Sequence, residues 1–155
     1  MFEKIASPQN PKVKTLLALQ QKSSERRKTG LFVVEGRREL IHCLEAGFEI
    51  DTIFCCYDVE TGVEPMPPLP DGVRVFEVSK AVYEKMACRG GTEGMVALME
   101  ERRLGLGDLQ LRENPLLVVL EGVEKPGNIG AVLRSADASG ADAVLLCDPL
   151  TDLYN

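Results

Sequence analysis

Apolar positions recur at helical spacing in four stretches of the chain and gather into short runs in six others, and the two kinds alternate. Asn10-Pro11 reads as an N-cap followed by the first residue of a helix, with Val13, Leu16, Leu17 and Gln20 on one face. That helix is expected to fray near Ser23-Ser24. The charged cluster Glu25-Arg26-Arg27-Lys28-Thr29-Gly30 then leads into the run Leu31-Phe32-Val33-Val34, a buried strand that Glu35-Gly36 breaks. A second helix is predicted from about Arg37 to Gly47, with Leu40, Ile41 and Leu44 inward. Ile50 to Cys55 and Val73 to Val78 read as strands, separated by a surface loop containing Pro65, Pro67, Pro68, Pro70 and Gly72. Ser79 can cap a helix carrying Val82 and Met86. Met95 to Met99 forms a further strand after the loop Arg89-Gly90-Gly91-Thr92-Glu93-Gly94. The order α-β-α-β-β-α-β predicts an α/β domain.

Glu100 to Asn114 is polar, holds Gly105 and Gly107, and reads as a connector that can carry a helical turn. Beyond it the pattern changes. Leu116 to Leu120 and Ala143 to Cys147 are apolar at every position, as strands covered on both faces must be. A helix from about Ile129 to Ser139, stopped by Gly140, lies between them, so the segment reads as one βαβ unit. The expected organisation is a first domain over 1–105, a linker over 106–114 and the start of a second domain over 115–155.

Charge is divided unevenly. The whole chain carries −6, but residues 1–40 hold nine Lys/Arg against four Glu, a net of +5, which leaves −11 for the rest. A basic segment on an acidic body suits local contact with phosphates, because position matters more than the total. The candidates for that contact are Lys12, Lys14, Arg26, Arg27, Lys28, Arg37 and Arg38. A solvated helix face with ordinary surface lysines is the plainer alternative. The five cysteines form no C-x-x-C pair and the single His42 has no other ligand nearby, so reduced thiols and no metal are expected. The longest apolar run falls far short of the roughly 20 residues of a membrane span, and the Met1-Phe2-Glu3-Lys4 start resembles no signal peptide. A cytoplasmic protein is expected, with no membrane partner.

The stretch Glu121-Gly122-Val123-Glu124-Lys125-Pro126-Gly127-Asn128-Ile129-Gly130 joins the first strand of the βαβ unit to its helix. Pro126-Gly127 suggests a tight turn, Asn128 stands where an N-cap is expected, and Gly130 leaves room for a close approach to the first helical turn. Ile129, Val132, Leu133 and Ala136 share one stripe, and Arg134 projects roughly 150° from its centre. Arg134 therefore points outward, where a surface pair with Asp137 is one use and ligand contact another. The spelling fits neither a phosphate-binding P-loop nor a dinucleotide fingerprint.

Followed by Ala131-Val132-Leu133-Arg134-Ser135-Ala136-Asp137-Ala138-Ser139-Gly140, this stretch resembles the first signature of the SpoU (TrmH-like) branch of the SPOUT RNA methyltransferases. Ile5-Ala6-Ser7, Asn10 to Lys14, Phe32 to Gly36 and Gly94 to Ala97 resemble, in order, that family's substrate-binding domain. The resemblance implies a ribosomal-protein-like α/β/α domain that holds structured RNA, followed by the first βαβ unit of a trefoil-knot methyltransferase domain. It implies methyl transfer from S-adenosylmethionine to a ribose 2′-hydroxyl of rRNA or tRNA. Asn128 and Arg134 then match positions placed at the ribose and its phosphate, and Glu121 an acidic position at the strand end. Members of this family work as homodimers, and they continue past a segment like Asp148 to Asn155 into two further motifs, the knot and the cofactor pocket. By that resemblance the present chain is a fragment, expected to be inactive alone and to bind no S-adenosylmethionine. A stand-alone RNA-binding module without catalysis remains the alternative.

Overall fold

The computed structural model describes residues 3–59, 68–88 and 93–155. These fall into two compact units, residues 1–102 and 103–155. The first contains β1 (Glu3–Ile5), α1 (Pro11–Gln21), α2 (Ser23–Thr29), β2 (Leu31–Glu35), α3 (Arg37–Glu45), β3 (Ile50–Cys55), β4 (Arg74–Val78), α4 (Lys80–Met86) and β5 (Met95–Glu100). Its five strands form one mixed sheet in the order β1-β4-β3-β5-β2. β1, β4 and β3 run parallel, whereas β5 is antiparallel to both β3 and β2.

Strand alternation explains the layers. Phe54, Phe76, Val78, Val96 and Leu98 point to one face and join Val13, Leu16 and Leu19 of α1 with Val82, Tyr83 and Met86 of α4 in the main core. The alternate positions Phe32, Val34, Ile53, Ala97 and Met99 are buried on the opposite face, where α3 contributes Leu40. Phe32 meets Phe48 edge to face at 5.6 Å on that side. The result is an α/β/α sandwich, an α/β domain as the element order predicts and with the layers that the family resemblance implies.

Two elements differ from the sequence reading. β1 escapes it because three residues carry too little alternation to be seen. In place of the fraying expected near Ser23-Ser24 and a charged cluster leading into the strand, residues 23–29 form the helix α2, entered through the extended Lys22 (φ −124°, ψ 112°) and closed by Gly30 at φ 67°. Glu25 in the first turn and the basic Arg27 and Lys28 in the last complement the helix dipole. Of the two predicted loops, residues 60–67 and 89–92 lie outside the described residues.

The second unit holds a 3-10 turn (Leu106–Asp108), β6 (Leu117–Glu121), α5 (Pro126–Ala138) and β7 (Ala143–Cys147). β6 and β7 pair in parallel, from Leu117 opposite Ala143 to Glu121 opposite Cys147. α5 ends in a Schellman arrangement: Gly140 (φ 67°) donates to the Asp137 carbonyl and Ala141 to that of Ala136. The segment before β6 is clamped to the segment before β7. Arg112 spans both carboxylate oxygens of Asp142 at 2.6 and 2.8 Å, and the Leu116 N–H donates to the same carboxylate at 2.8 Å. The Arg112 hydrogen bond foremost, then the Leu116 N–H, holds the Asp142 carboxyl well below the usual range.

Candidate functional site: the β6–α5 signature and the basic helices

The signature around α5 differs from expectation in one local detail. Pro126 and Gly127 make no separate turn. Lys125 is the N-cap, Pro126 opens the helix and Asn128 sits in its first turn, with its backbone N–H donating to the Lys125 carbonyl at 3.0 Å. Proline is suited to that opening position because the N–H it lacks has no intrahelical partner there. Asn128 is thus lifted off the cap role, and its exposed side chain makes no hydrogen bond among the described residues.

Ile129 and Ala136 are buried against the sheet, and Val132 is half-buried beside them. Arg134 lies off this stripe and is exposed. No hydrogen bond or ion pair engages it among the described residues, so the Asp137 pairing does not form. Its Nη1 lies 3.6 Å from where a Cβ on Gly130 would stand. The space that Gly130 opens on the helix surface is therefore occupied by the guanidinium from the following turn. Gly127 has nothing within 4 Å of an added Cβ, which leaves the helix start open.

Glu121 is placed differently. By strand alternation it shares a face with Leu117 and Val119, whereas α5 covers the face of Val118 and Leu120. Leu117 and Val119 are 39% and 59% exposed. The fold thus carries both Asn128 and Arg134 on α5, six residues apart, and puts Glu121 at the carboxyl end of β6, facing away from that helix. Cys147, its register partner, is exposed beside it. Carboxyl ends of parallel strands are where open α/β sheets place their ligands.

These positions do not fit S-adenosylmethionine as they stand. A pocket for a ligand of that size buries most of its surface. Here Glu121, Asn128, Arg134, Cys147 and Asp148 are all exposed. No methyl-transfer step is therefore assigned to a donor held by these residues. Burial raises the Cys43 and Cys56 thiols above their ordinary values, which disfavours a thiolate at those two positions. Among the described residues no group of three His, Cys, Asp or Glu could hold a metal ion. No helix among them is long and apolar enough to cross a membrane.

The basic residues of the first unit separate into two groups. Lys14, Arg27, Lys28 and Arg38 are exposed, and no ion pair engages them among the described residues. Lys12 is half-buried, paired with Glu3 at 3.0 Å and set over the Phe76 ring at 4.5 Å. Arg26 and Arg37 correct the sequence reading. They are 3% and 4% exposed, so neither can present its charge to a large polyanion. Arg26 is spent instead on the carbonyls of Leu19 and Gln20 at the end of α1. Charge alone does not separate buried from exposed arginines. The signal for α2 is nevertheless present, in Ser23-Ser24-Glu25 as a helix start and Gly30 as its stop.

Residues 10–97 match the MRM3-like substrate binding domain, and residues 115–155 match the SpoU rRNA Methylase family. The chain is 28% identical over 156 residues to the 23S rRNA (guanosine(2553)-2'-O)-methyltransferase RlmP of Bacillus subtilis, covering 99% of this chain and 58% of that protein. It is 39% identical over 80 residues to the 23S rRNA (guanosine-2'-O-)-methyltransferase RlmB of Vibrio cholerae, covering 48% of this chain and 32% of that one. A crystal structure of an RNA 2'-O ribose methyltransferase superposes with TM-score 0.75 at 36% identity, over 97% of this chain and 57% of the other. An AdoMet-bound rRNA methyltransferase from Sinorhizobium meliloti superposes with TM-score 0.80 at 28% identity, over 99% and 57%. The chain thus spans 58% of the length of the Bacillus subtilis relative and 57% of each of these two solved structures.

Proposed function

Because the chain belongs to the SpoU-type proteins that carry an MRM3-like substrate-binding domain, we propose that it is the RNA-holding and ribose-side part of an S-adenosylmethionine-dependent rRNA ribose 2′-O-methyltransferase. The observation that carries this reading is Arg134, an exposed guanidinium on a helix whose other side is packed, with no protein partner among the described residues. A planar guanidinium suits two-pronged contact with a phosphate, and its pKa above about 12 makes it a poor proton acceptor. Arg134 therefore grips the phosphate beside the target ribose, and Asn128 orients the sugar. Glu121 acts from the other face of the strand end, toward groups that complete the site. S-adenosylmethionine supplies the methyl group in the complete enzyme, a homodimer of the cytoplasm.

The bare face of Leu117 and Val119 favours this reading over a self-sufficient RNA-binding module. Parallel strands are normally covered on both faces, so the β6–α5–β7 unit expects more protein against this one. Residues 1–102 form the RNA-binding arm, with Lys14, Arg27, Lys28 and Arg38 at its phosphates and Lys12 in a lesser part.

The arm is tested by titrating the 155-residue chain with a fluorescently labelled RNA stem-loop at several salt concentrations. In the double variant Arg27→Gln/Lys28→Gln, the slope of log affinity against log salt is expected to flatten by about 0.7 to 0.9 for each phosphate no longer neutralised. Affinity and slope unchanged from the parent chain would remove Arg27 and Lys28, and with them α2, from RNA recognition.

A further inference from the structure

Helices α1 and α2 are separated by a single extended residue, Lys22, and α2 carries two of the exposed cations assigned to RNA. A joint of one residue leaves the direction of a seven-residue helix poorly determined, and isolated helices of that length are unstable in water. α2 also has no side-chain N-cap. Something else must hold it. The buried Arg26 does so: its Nη1 donates to the Leu19 carbonyl at 2.5 Å and to the Gln20 carbonyl at 3.3 Å. Both carbonyls belong to the last turn of α1, where no intrahelical N–H reaches them. The cation also lies at the negative end of the α1 dipole. One side chain thus satisfies the end of α1 and fixes α2 against it, while its sequence neighbours Arg27 and Lys28 remain exposed.

We infer that Arg26 is a positioning residue for RNA recognition: it touches no phosphate, and by clamping α2 to α1 it holds Arg27 and Lys28 in a ready-made arrangement. This rests on the reading of residues 1–102 as the RNA-binding arm. Without the clamp both cations stay in place, but on a segment that must be ordered at each binding event, which weakens binding while every phosphate remains neutralised. A phosphate-gripping arginine behaves differently, because its removal also lowers the number of counterions released.

Arg26→Lys keeps the charge and removes the planar fork. The same RNA titration is run on the parent chain, Arg26→Lys and Arg27→Gln/Lys28→Gln, together with amide hydrogen exchange. The expected result for Arg26→Lys is an affinity about three- to tenfold lower at every salt concentration, with an unchanged slope. Amides of residues 23–29 are expected to exchange faster while those of β3 and β5 keep their protection. Undiminished affinity, or a slope as flat as that of the double variant, overturns the inference. So does loss of protection throughout β3 and β5, which makes Arg26 a support of the whole core. If the parent chain binds no RNA, the reading of the arm fails, and the exchange pattern still decides whether Arg26 holds α2.

Discussion

Arg134→Ala is expected to lower ribose methylation by about 10²-fold or more in the RNA-methylating enzyme, because misplacement of the reacting sugar by even 1 Å carries a penalty of that order. The fold should be untouched. Arg134 lies outside the packed stripe of Ile129 and Ala136 and makes no hydrogen bond among the described residues, so its removal opens no cavity. Arg134→Lys should fail nearly as badly, since an ammonium offers a point charge where two parallel N–H donors are needed. Rates measured on an rRNA transcript, with circular dichroism as the fold control, separate the possibilities. Near-parental activity in the lysine variant would show that charge alone suffices. Activity in the alanine variant would remove Arg134 from the site.

Phe54→Ala is the largest stability effect expected. Phe54 is fully buried on the central strand β3, against the Phe76 ring at 5.7 Å between centroids. Removing a buried phenyl group costs about 3–5 kcal/mol, a large share of the roughly 5–15 kcal/mol that holds a domain together. Urea denaturation should show a midpoint lowered by that free energy divided by the slope, with little change in the slope itself. Leu104→Ala, at a residue 69% exposed, is the control and should stay within about 0.5 kcal/mol of the parent. A loss below about 1 kcal/mol in Phe54→Ala would mean that the two aromatic rings do not share a close-packed core.

What can be read from the sequence follows from the physics of each element. Strands such as β3, β5 and β6 announce themselves because burial on one or both faces demands apolar side chains at known periods. α5 is legible for a different reason, a contiguous signature in which Pro126 suits the helix opening and Gly140, at positive φ, its close. It begins three residues earlier than its apolar stripe suggests, because Asn128 is as good an N-cap by type as Lys125 is a poor one. Only the position of Pro126 reveals the true opening. α2 reads as a charged loop although its start and stop residues are visible, since a seven-residue helix without an apolar stripe gives no periodic signal. The candidate site shows the same division. Residue type and spacing single out Asn128 and Arg134, and α5 presents both. The facing of Glu121 away from α5, the burial of Arg26 and Arg37, and the Arg112–Asp142 clamp all depend on residues distant in sequence. No local pattern encodes them.

Nucleoside analysis of rRNA by mass spectrometry, comparing cells with and without the gene, tests the central claim most directly. The account predicts that one 2′-O-methylated nucleoside disappears from the rRNA of the deletion strain and returns when the gene is restored, but not when it is restored with Arg134→Ala. An unchanged set of ribose methylations, or disappearance of a base methylation in their place, would contradict it.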